Sequence, residues 1–231
     1  MFNLFKNNNK QKSSIVINKG KNNKIICFDN KNNIIEVPFI PNLIINFYGS
    51  NNCIKIHQDT KFPINTVISC SHNNKIFIDK TKEDINMIIP FVMSEGSELH
   101  IGKNFSCGLT HFQLHREPNL KIPVGDNCMF SENVYIKPSD GHTIYDKNNK
   151  IINKPENIII GDHVWLCRNV MVLKEANIPN NSVVALSAVY TKTSNEITAQ
   201  EGTVYAGIPA KAVRYNINWD RAHTVEFENM N

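Results

Sequence analysis

The 231-residue sequence contains no run of about 18 consecutive apolar residues, so it predicts no transmembrane helix. It also shows no secretory leader. Met1-Phe-Asn-Leu-Phe-Lys is followed by polar Asn and Lys residues rather than by an apolar core with a cleavage site. From both absences we expect a cytoplasmic protein.

Paired cysteine motifs and basic blocks are also missing. The six cysteines form no C-x-x-C pair, which is typical of reduced cytoplasmic thiols, and Cys107 and Cys128 fall where a repeat would point them inward. The net charge is only +4, without a long Lys/Arg run, and the aromatic residues do not alternate with a basic stripe. We therefore expect no nucleic-acid partner.

The sequence does contain a six-residue period from Ile160 to Asn195. Five of its six hexads open with an aliphatic residue, the last opens with Tyr190, and a small or β-branched residue follows four places later. A period of six fits neither a helix nor a plain alternating strand. It is typical of a parallel β-helix, in which short strands stack coil on coil with the opening side chains inside.

The period continues toward the N-terminus in a looser form. Residues 124–141 make one coil of three hexads, and residues 101–112 make part of another. Residues 113–123 between them are predicted to bulge out. Further back, Ile56, Ile78 and Ile101 recur 22 and 23 residues apart, which indicates early, irregular coils. Lys24–Phe28 with Asn33–Val37 are predicted to form a first hairpin or coil, and residues 1–14 to be frayed or a short cap.

Two polar segments, residues 142–157 and 192–202, interrupt the repeat. Loops that leave a solenoid are where function usually lies. After the second interruption, residues 203–214 return to a β-like spacing, and a short helix around Asp220–Phe227 is predicted to cap the open end. The predicted division is irregular β coils with a substrate or oligomer role (1–100), a β-helix domain with a loop at 140–158 (101–214), and a tail (215–231).

Four motifs between Val124 and Arg214 carry a family resemblance. They are Ser139-Asp-Gly-His-Thr-Ile, Ile160-Gly-Asp-His-Val-Trp, Ser182-Val-Val-Ala-Leu-Ser-Ala-Val and Tyr205-Ala-Gly-Ile-Pro-Ala-Lys-Ala-Val-Arg. In this order the segment resembles the hexapeptide-repeat acyltransferases, in particular the O-acetyltransferases of sugars and surface polysaccharides, including sialic acid polymers. The resemblance implies an all-β, left-handed parallel β-helix, acetyl-CoA as acyl donor, a carbohydrate acceptor, and a homotrimer with active sites between subunits. Ile208 stands where the family usually has Asn.

The resemblance assigns catalytic roles to His142 and to Trp165, which follows 23 residues later. Transfer of an acetyl group from a thioester to a hydroxyl needs a base, and an imidazole can take and return a proton near neutral pH. The alternative for His142 is a solvated loop histidine. An indole can stack on a sugar. The alternative for Trp165 is an anchor at a trimer interface, and both roles can hold together.

The resemblance also implies a binding strip for the pantetheine arm and phosphates of the donor. Backbone groups around two pairs of residues would hold the arm: Ser187 with Ala188, and Ala206 with Gly207. Three basic side chains would meet the phosphates and the adenosine end: Lys192, Lys211 and Arg214. The alternative for each cation is an ordinary solvated basic face.

Other polar residues have weaker assignments. His111 and His115 lack a third ligand, so no metal site is predicted. Asp140 either orients His142 or stabilises its turn, and the turn is favoured. Tyr190 is assigned to the core or an interface. Three functions remain open: an acetyl-CoA-dependent O-acetyltransferase, an N-acetyltransferase acting on an amino-sugar nucleotide, and a non-catalytic β-solenoid for binding or structure.

Overall fold

The computed structural model describes residues 15–35, 40–63, 66–83, 85–195 and 200–230, so the predictions for residues 1–14 and for Glu36 and Val37 lie outside the described part. The strands are short, and two short helices lie near the C-terminus. The strands are, in chain order, β1 (Ile15–Asn18), β2 (Lys24–Phe28), β3 (Ile34–Ile35), β4 (Leu43–Phe47), β5 (Cys53–His57), β6 (Thr66–Cys70), β7 (Lys75–Ile78), β8 (Ile85–Ile88), β9 (Glu98–Ile101), β10 (Ser106–Phe112), β11 (Lys121–Val124), β12 (Met129–Phe130), β13 (Val134–Lys137), β14 (Ile159–Ile160), β15 (Trp165–Leu166), β16 (Met171–Leu173), β17 (Asn177–Ile178), β18 (Val183–Val184), β19 (Val189–Tyr190), β20 (Val204–Gly207) and β21 (Ala210–Arg214); the helices are α1 (Lys192–Asn195) and α2 (Thr224–Met230).

The strands stack in parallel into a three-sided β-helix. The first face runs from β2 through β5, β7, β9, β11 and β14 to β17. The second runs through β12, β15, β18 and β20, and the third runs through β13, β16 and β19. Strands β1, β4 and β6 form a separate three-stranded sheet, which Cys70 extends by a parallel bridge to Met93. Strand β10 bends from the second face to the third, because its first half pairs with β12 and its second half with β13.

The strand register confirms the predicted repeat. Ile159, Trp165 and Met171 pair with Asn177, Val183 and Val189, so one coil is three hexads long. In the N-terminal half, Ile56 pairs with Ile78 and Ile78 pairs with Ile101, as the looser spacing predicted. Strands β2 and β3 pair antiparallel as a hairpin, and β2 also pairs in parallel with β5, so this segment belongs to the coil stack as well.

The interior is one apolar column. The six residues that open the hexads are at most 2% exposed: Ile160, Leu166, Val172, Ile178, Val184 and Tyr190. The buried cluster continues without a break from Cys27 to Ala210. The predicted boundaries at residues 100 and 214 stay a prediction, because one continuous core does not show whether the segments have different functions.

A column of glycines explains the Ile-Gly-Asp start of several hexads. The carboxylate of Asp126 accepts the backbone N–H of Lys103 at 2.7 Å, and Asp162 accepts that of Asp126 at 2.7 Å. Each carboxylate reaches the preceding coil over a glycine. A β-carbon on Gly102 would lie 2.4 Å from Asp126 Oδ1, and one on Gly125 would lie 2.3 Å from Asp162 Oδ1. Glycine is therefore required by close approach between coils.

The buried thiols lead to a first testable expectation. Burial raises the pKa of Cys107 and of Cys128 to about 12, so almost no thiolate exists at pH 8. Native protein should therefore react slowly with iodoacetamide at these two positions, whereas urea-unfolded protein should react fully. Peptide mass spectrometry measures both. Complete labelling of either thiol in the native protein would contradict the buried placement.

The C-terminal tail differs from its prediction in detail. The helix begins at Thr224 rather than Asp220. Before it, the chain runs back along the corner between the first and second faces. The Ile217 N–H donates to Gly202 O at 2.9 Å, Trp219 Nε1 donates to His163 O at 2.8 Å, and Arg221 donates to Cys128 O at 2.8 Å. The segment before the helix thus lies against a flank, and the last coil ends in the β20–β21 hairpin.

Candidate active site

His142 lies at the start of the long loop between β13 and β14. Tyr135 and Met171 pair across 36 residues rather than across the 18 of an uninterrupted coil, so the loop adds a whole coil length without disturbing the stack. The loop folds back on itself through a bridge between Tyr145 and Ile151. The imidazole of His142 is exposed to solvent. A proton-transfer group is therefore accessible beside a regular scaffold.

The backbone at His142 is clamped from two sides. Asn153 Nδ2 donates to His142 O at 2.8 Å and to the Asp140 carboxylate at 2.9 Å. Lys174, from the next coil, forms an ion pair with Asp140 and donates to Asn153 O at 3.0 Å. Gly141, with a φ of 82°, makes the turn between Asp140 and His142. These contacts support the turn-stabilising role of Asp140.

Charge around this turn is mainly positive. Partial burial alone would raise the pKa of Asp140, but hydrogen bonds from Lys174 and Asn153 and the charges of Lys174 and Lys137 outweigh it and hold that pKa below its usual range. The pKa of His115 is lowered by burial and then by the charges of Arg116 and Lys137.

Arg116 lies beside the same turn, since its Cγ would be 3.9 Å from a β-carbon placed on Gly141. Sequence reasoning missed Arg116 and Lys174. The bulge predicted for residues 113–123 was the available signal for Arg116. Its bounds were wrong at the C-terminal end, because Lys121–Pro123 lie in β11 and pair with β9. We call the group Arg116, Lys137 and Lys174 the cationic cluster.

Trp165 lies on β15 and faces outward from the second face, half-buried. Its Nε1 donates to Ser131 Oγ at 3.4 Å, and its ring centroid is 5.9 Å from that of Trp219. The loop of His142 instead leaves between the third and first faces. Within the described part of one chain, no hydrogen bond or ring contact joins His142 to Trp165. Sequence reasoning also missed Trp219.

The four residues assigned to the pantetheine arm of the donor come together at one corner, whereas Lys192 lies in α1 beside Glu175. Ser187 turns this corner with a φ of 56°, and its N–H donates to Arg168 O at 2.9 Å. Val184 pairs with Tyr205, so Ala206 and Gly207 continue β20 past the same corner one coil later. Ala188 is buried, whereas Ser187 and Gly207 are exposed. The corner therefore offers backbone groups from two successive coils.

The three assigned cations differ in their surroundings. Lys211 and Arg214 are exposed on β21, which folds back onto β20 and pairs them with Ala206 and Val204. Lys192 instead donates to Glu175 at 2.8 Å, so its charge is partly balanced. Lys211 and Arg214 are accordingly the better candidates for binding phosphate.

The other polar residues considered above, His111, His115 and Tyr190, make packing contacts or hydrogen bonds within the fold. His111 stacks on Tyr135 with centroids 4.4 Å apart, and His115 packs against Phe91. Across the described ranges, no three His, Cys, Asp or Glu residues are grouped as a metal site. The Tyr190 hydroxyl donates to Asn177 O inside the core, in agreement with a core role. None of the described helices could cross a membrane.

Comparisons with known proteins place this geometry in context. No protein-family model matches the chain. The chain is 31% identical over 136 residues to a polysialic acid O-acetyltransferase from Escherichia coli O1:K1 / APEC, a match that covers 58% of the chain and 42% of that relative. It is 33% identical over 127 residues to a polysialic acid O-acetyltransferase from Neisseria meningitidis, covering 54% of the chain and 57% of the relative. The chain thus spans about half the length of the curated relatives it matches.

One solved structure matches almost the whole fold. The crystal structure of the polysialic acid O-acetyltransferase OatWY has a TM-score of 0.71 and 28% identity, and the match covers 94% of this chain and 95% of that one. The likeness confirms the predicted left-handed parallel β-helix, and it extends through the N-terminal coils.

Proposed function

We propose that the chain is a hexapeptide-repeat acyltransferase of the sugar O-acetyltransferase kind, and that it transfers an acetyl group from acetyl-CoA to a hydroxyl of a surface-polysaccharide sugar. The observation that carries the proposal is the clamped turn that presents the exposed imidazole of His142 beside the cationic cluster. A purely structural solenoid has no need to hold a histidine in this way.

In the proposed reaction His142 is the general base. The acceptor hydroxyl loses its proton to the imidazole as its oxygen attacks the acetyl carbonyl carbon. The new C–O bond forms, the C–S bond breaks, and the proton returns from the imidazole to the departing thiolate. The acetyl group passes directly between the two substrates in a ternary complex. The Asn153 contact to His142 O fixes the backbone from which the imidazole works.

The donor would bind along the corner of Ser187, Ala188, Ala206 and Gly207. An extended pantetheine arm needs accessible backbone groups, and the exposed Gly207 allows close approach. Lys211 and Arg214 on the adjacent strand would meet the phosphates, because basic side chains recognise phosphate through charge-assisted hydrogen bonds.

The cationic cluster favours an anionic acceptor. Arg116, Lys137 and Lys174 lie around the turn, and among the described residues Asp140 is the one carboxylate in an ion pair with the cluster, through Lys174. A carboxylate-bearing sugar such as sialic acid would be attracted to this surface. The similarity to polysialic acid O-acetyltransferases supports the same choice.

An assembly would join the two catalytic residues. His142 and Trp165 lie on different sides of one chain, so a shared site requires Trp165 from a neighbouring subunit, as in the homotrimer that the family resemblance implies. Sedimentation equilibrium tests this part. A mass of three chains supports it, whereas an active monomer would contradict it.

Turnover with a panel of acceptors tests the function. Thiol release from acetyl-CoA should depend on an oligosialic acid or a neutral sugar, and acetyl-CoA should raise the melting temperature. Preferential transfer to an amino-sugar nucleotide would favour N-acetylation instead. No turnover together with no thermal shift would leave only the non-catalytic solenoid.

The contacts of Asn153 and Lys174 that hold the His142 turn, here called the clamp, give a further expectation about the same reaction. Lys174→Gln should lower kcat by about 10- to 100-fold, because a loosened turn misplaces the base. The pKa of Asp140 is depressed, so the ion pair is present at neutral pH and is lost as pH falls through that depressed value. The ratio of kcat in wild type to kcat in Lys174→Gln should therefore fall toward one at acid pH, since protonation of the His142 base affects both proteins alike.

Steady-state kinetics from pH 3 to 8 measure both effects, with Lys75→Gln on the first face as a matched surface control. Lys75 also forms an exposed ion pair, with Glu98. An equal loss of kcat in both variants would contradict the clamp.

A further inference from the structure

A pocket of about 280 Å³ lies in the C-terminal tail, and none of the catalytic or donor-binding residues assigned above lines it. It is lined by Asn218, Trp219, Asp220, Ala222, Thr224 and Phe227. We propose that this pocket binds an uncharged, hydroxyl-bearing sugar ring that neighbours the carboxylate-bearing unit in a mixed acceptor polysaccharide, with Trp219 as the stacking platform. The inference rests on the proposed function, because it assigns part of the acceptor to the tail.

Trp219 is held rigidly in place. One face of its indole ring stacks on His163, with centroids 4.1 Å apart and planes at 20°, and its Nε1 donates to His163 O. Trp219 lines the pocket together with Phe227. An aromatic ring fixed before the ligand arrives loses little freedom on binding, and its apolar face suits the C–H groups of a sugar.

The pocket adjoins the residue already proposed to contact the acceptor. The rings of Trp219 and Trp165 lie 5.9 Å apart at 43°. The tail is tethered at this position, since Asn181 Nδ2 donates to Ile217 O at 2.9 Å and Arg221 donates to the backbone of the coil below. A sugar in the pocket would therefore sit next to the second face of the β-helix.

The charge of the lining favours a neutral ligand. Among the described lining residues, Asp220 is the one that carries a charge, and none is a lysine or an arginine. Arg221 is nearby, but its guanidinium is directed to Ser106 Oγ, Asn104 O and Cys128 O. A phosphate or a carboxylate would meet only Asp220, which would repel it. Hydroxyl groups can instead bind the carboxylate, amide and hydroxyl groups of Asp220, Asn218 and Thr224.

Size points to one ring rather than an extended chain. Pockets for drug-sized ligands span about 300–1,000 Å³, and this one lies just below that range. A single sugar unit is the matching class, and the rest of a polymer would continue over the surface.

Direct binding tests the inference without relying on catalysis. Methyl galactoside is titrated into full-length protein by saturation-transfer NMR, and acetyl-CoA by calorimetry. The variants are Trp219→Ala and Phe227→Ala, with Asn181→Gly as control. That control removes a tail tether outside the pocket and keeps the left-handed backbone angle. Both pocket variants should raise the Kd of methyl galactoside by about tenfold or more, with the control and the Kd of acetyl-CoA unchanged.

Three results would overturn the inference: an unchanged Kd in the pocket variants, an equal rise in Asn181→Gly, or weaker acetyl-CoA binding in Trp219→Ala. Failure of the two proposals can be told apart. Sugar binding without any acetyl transfer would reject the enzyme and keep the pocket. If His142→Ala abolishes acetyl transfer but Trp219→Ala leaves sugar binding unchanged, the enzyme is supported and the pocket is rejected.

Discussion

Replacement of His142 by alanine is expected to lower kcat for acetyl transfer by about 10²- to 10⁴-fold, the usual contribution of a general base. The fold should be unaffected, because the imidazole is exposed and the turn is held through the backbone carbonyl. Acceptor-dependent thiol release measures the loss, and thermal unfolding measures the fold.

A second exposed histidine supplies the control for this substitution. His100 lies on the first face, stacked on Phe77, away from the His142 loop. His100→Ala should retain wild-type kcat. Near-normal turnover in His142→Ala would remove the general base from the mechanism, and a large fall in its melting temperature would show a structural role instead.

Gly125→Ala is expected to lower the free energy of unfolding by about 1–3 kcal/mol or more, as overpacking of a close contact does. The added β-carbon would lie 2.3 Å from Asp162 Oδ1 and 2.7 Å from both Asp162 N and Gly161 C. Two of these atoms belong to the backbone and cannot rotate away. Gly125 is absent from the glycines with positive φ, so the cost comes from contact between coils rather than from its backbone angle.

Urea unfolding, followed by circular dichroism, measures this effect. The control is Leu186→Ala, at a corner residue that is 64% exposed, which should change stability by less than about 0.5 kcal/mol. Equal stability of Gly125→Ala and wild type would mean that the coils can move apart, and the explanation of the Ile-Gly-Asp hexads would then be wrong.

The repeat could be predicted from the sequence because each coil obeys a local rule. Ile160 and Ile178 occupy equivalent positions one coil apart, and a buried face requires an apolar residue at both. The family resemblance, rather than this rule, assigned Ser187 and Gly207 to the donor, and the strand register brings both to one corner. The interruption at residues 142–157 was visible because it breaks that rule.

Other parts of the site depend on contacts that no local pattern encodes. Lys174 reaches Asp140 from 34 residues away, and Trp219 reaches His163 from 56 residues away. The tail shows no repeat, so its path along a flank could not be predicted from spacing. Arg116 lies in a bulge, where the period that orders its neighbours is absent.

The most direct test of the central claim is product analysis with isotopically labelled acetyl-CoA and an oligosialic acid acceptor. Mass spectrometry before and after mild alkaline hydrolysis should show labelled acetyl groups on the sugar that are removed by base, as esters are. The same reaction with His142→Ala should show almost none. Labelled acetyl that survives hydrolysis would indicate an amide, and equal labelling by both proteins, or none by the wild type, would contradict an O-acetyltransferase that uses His142.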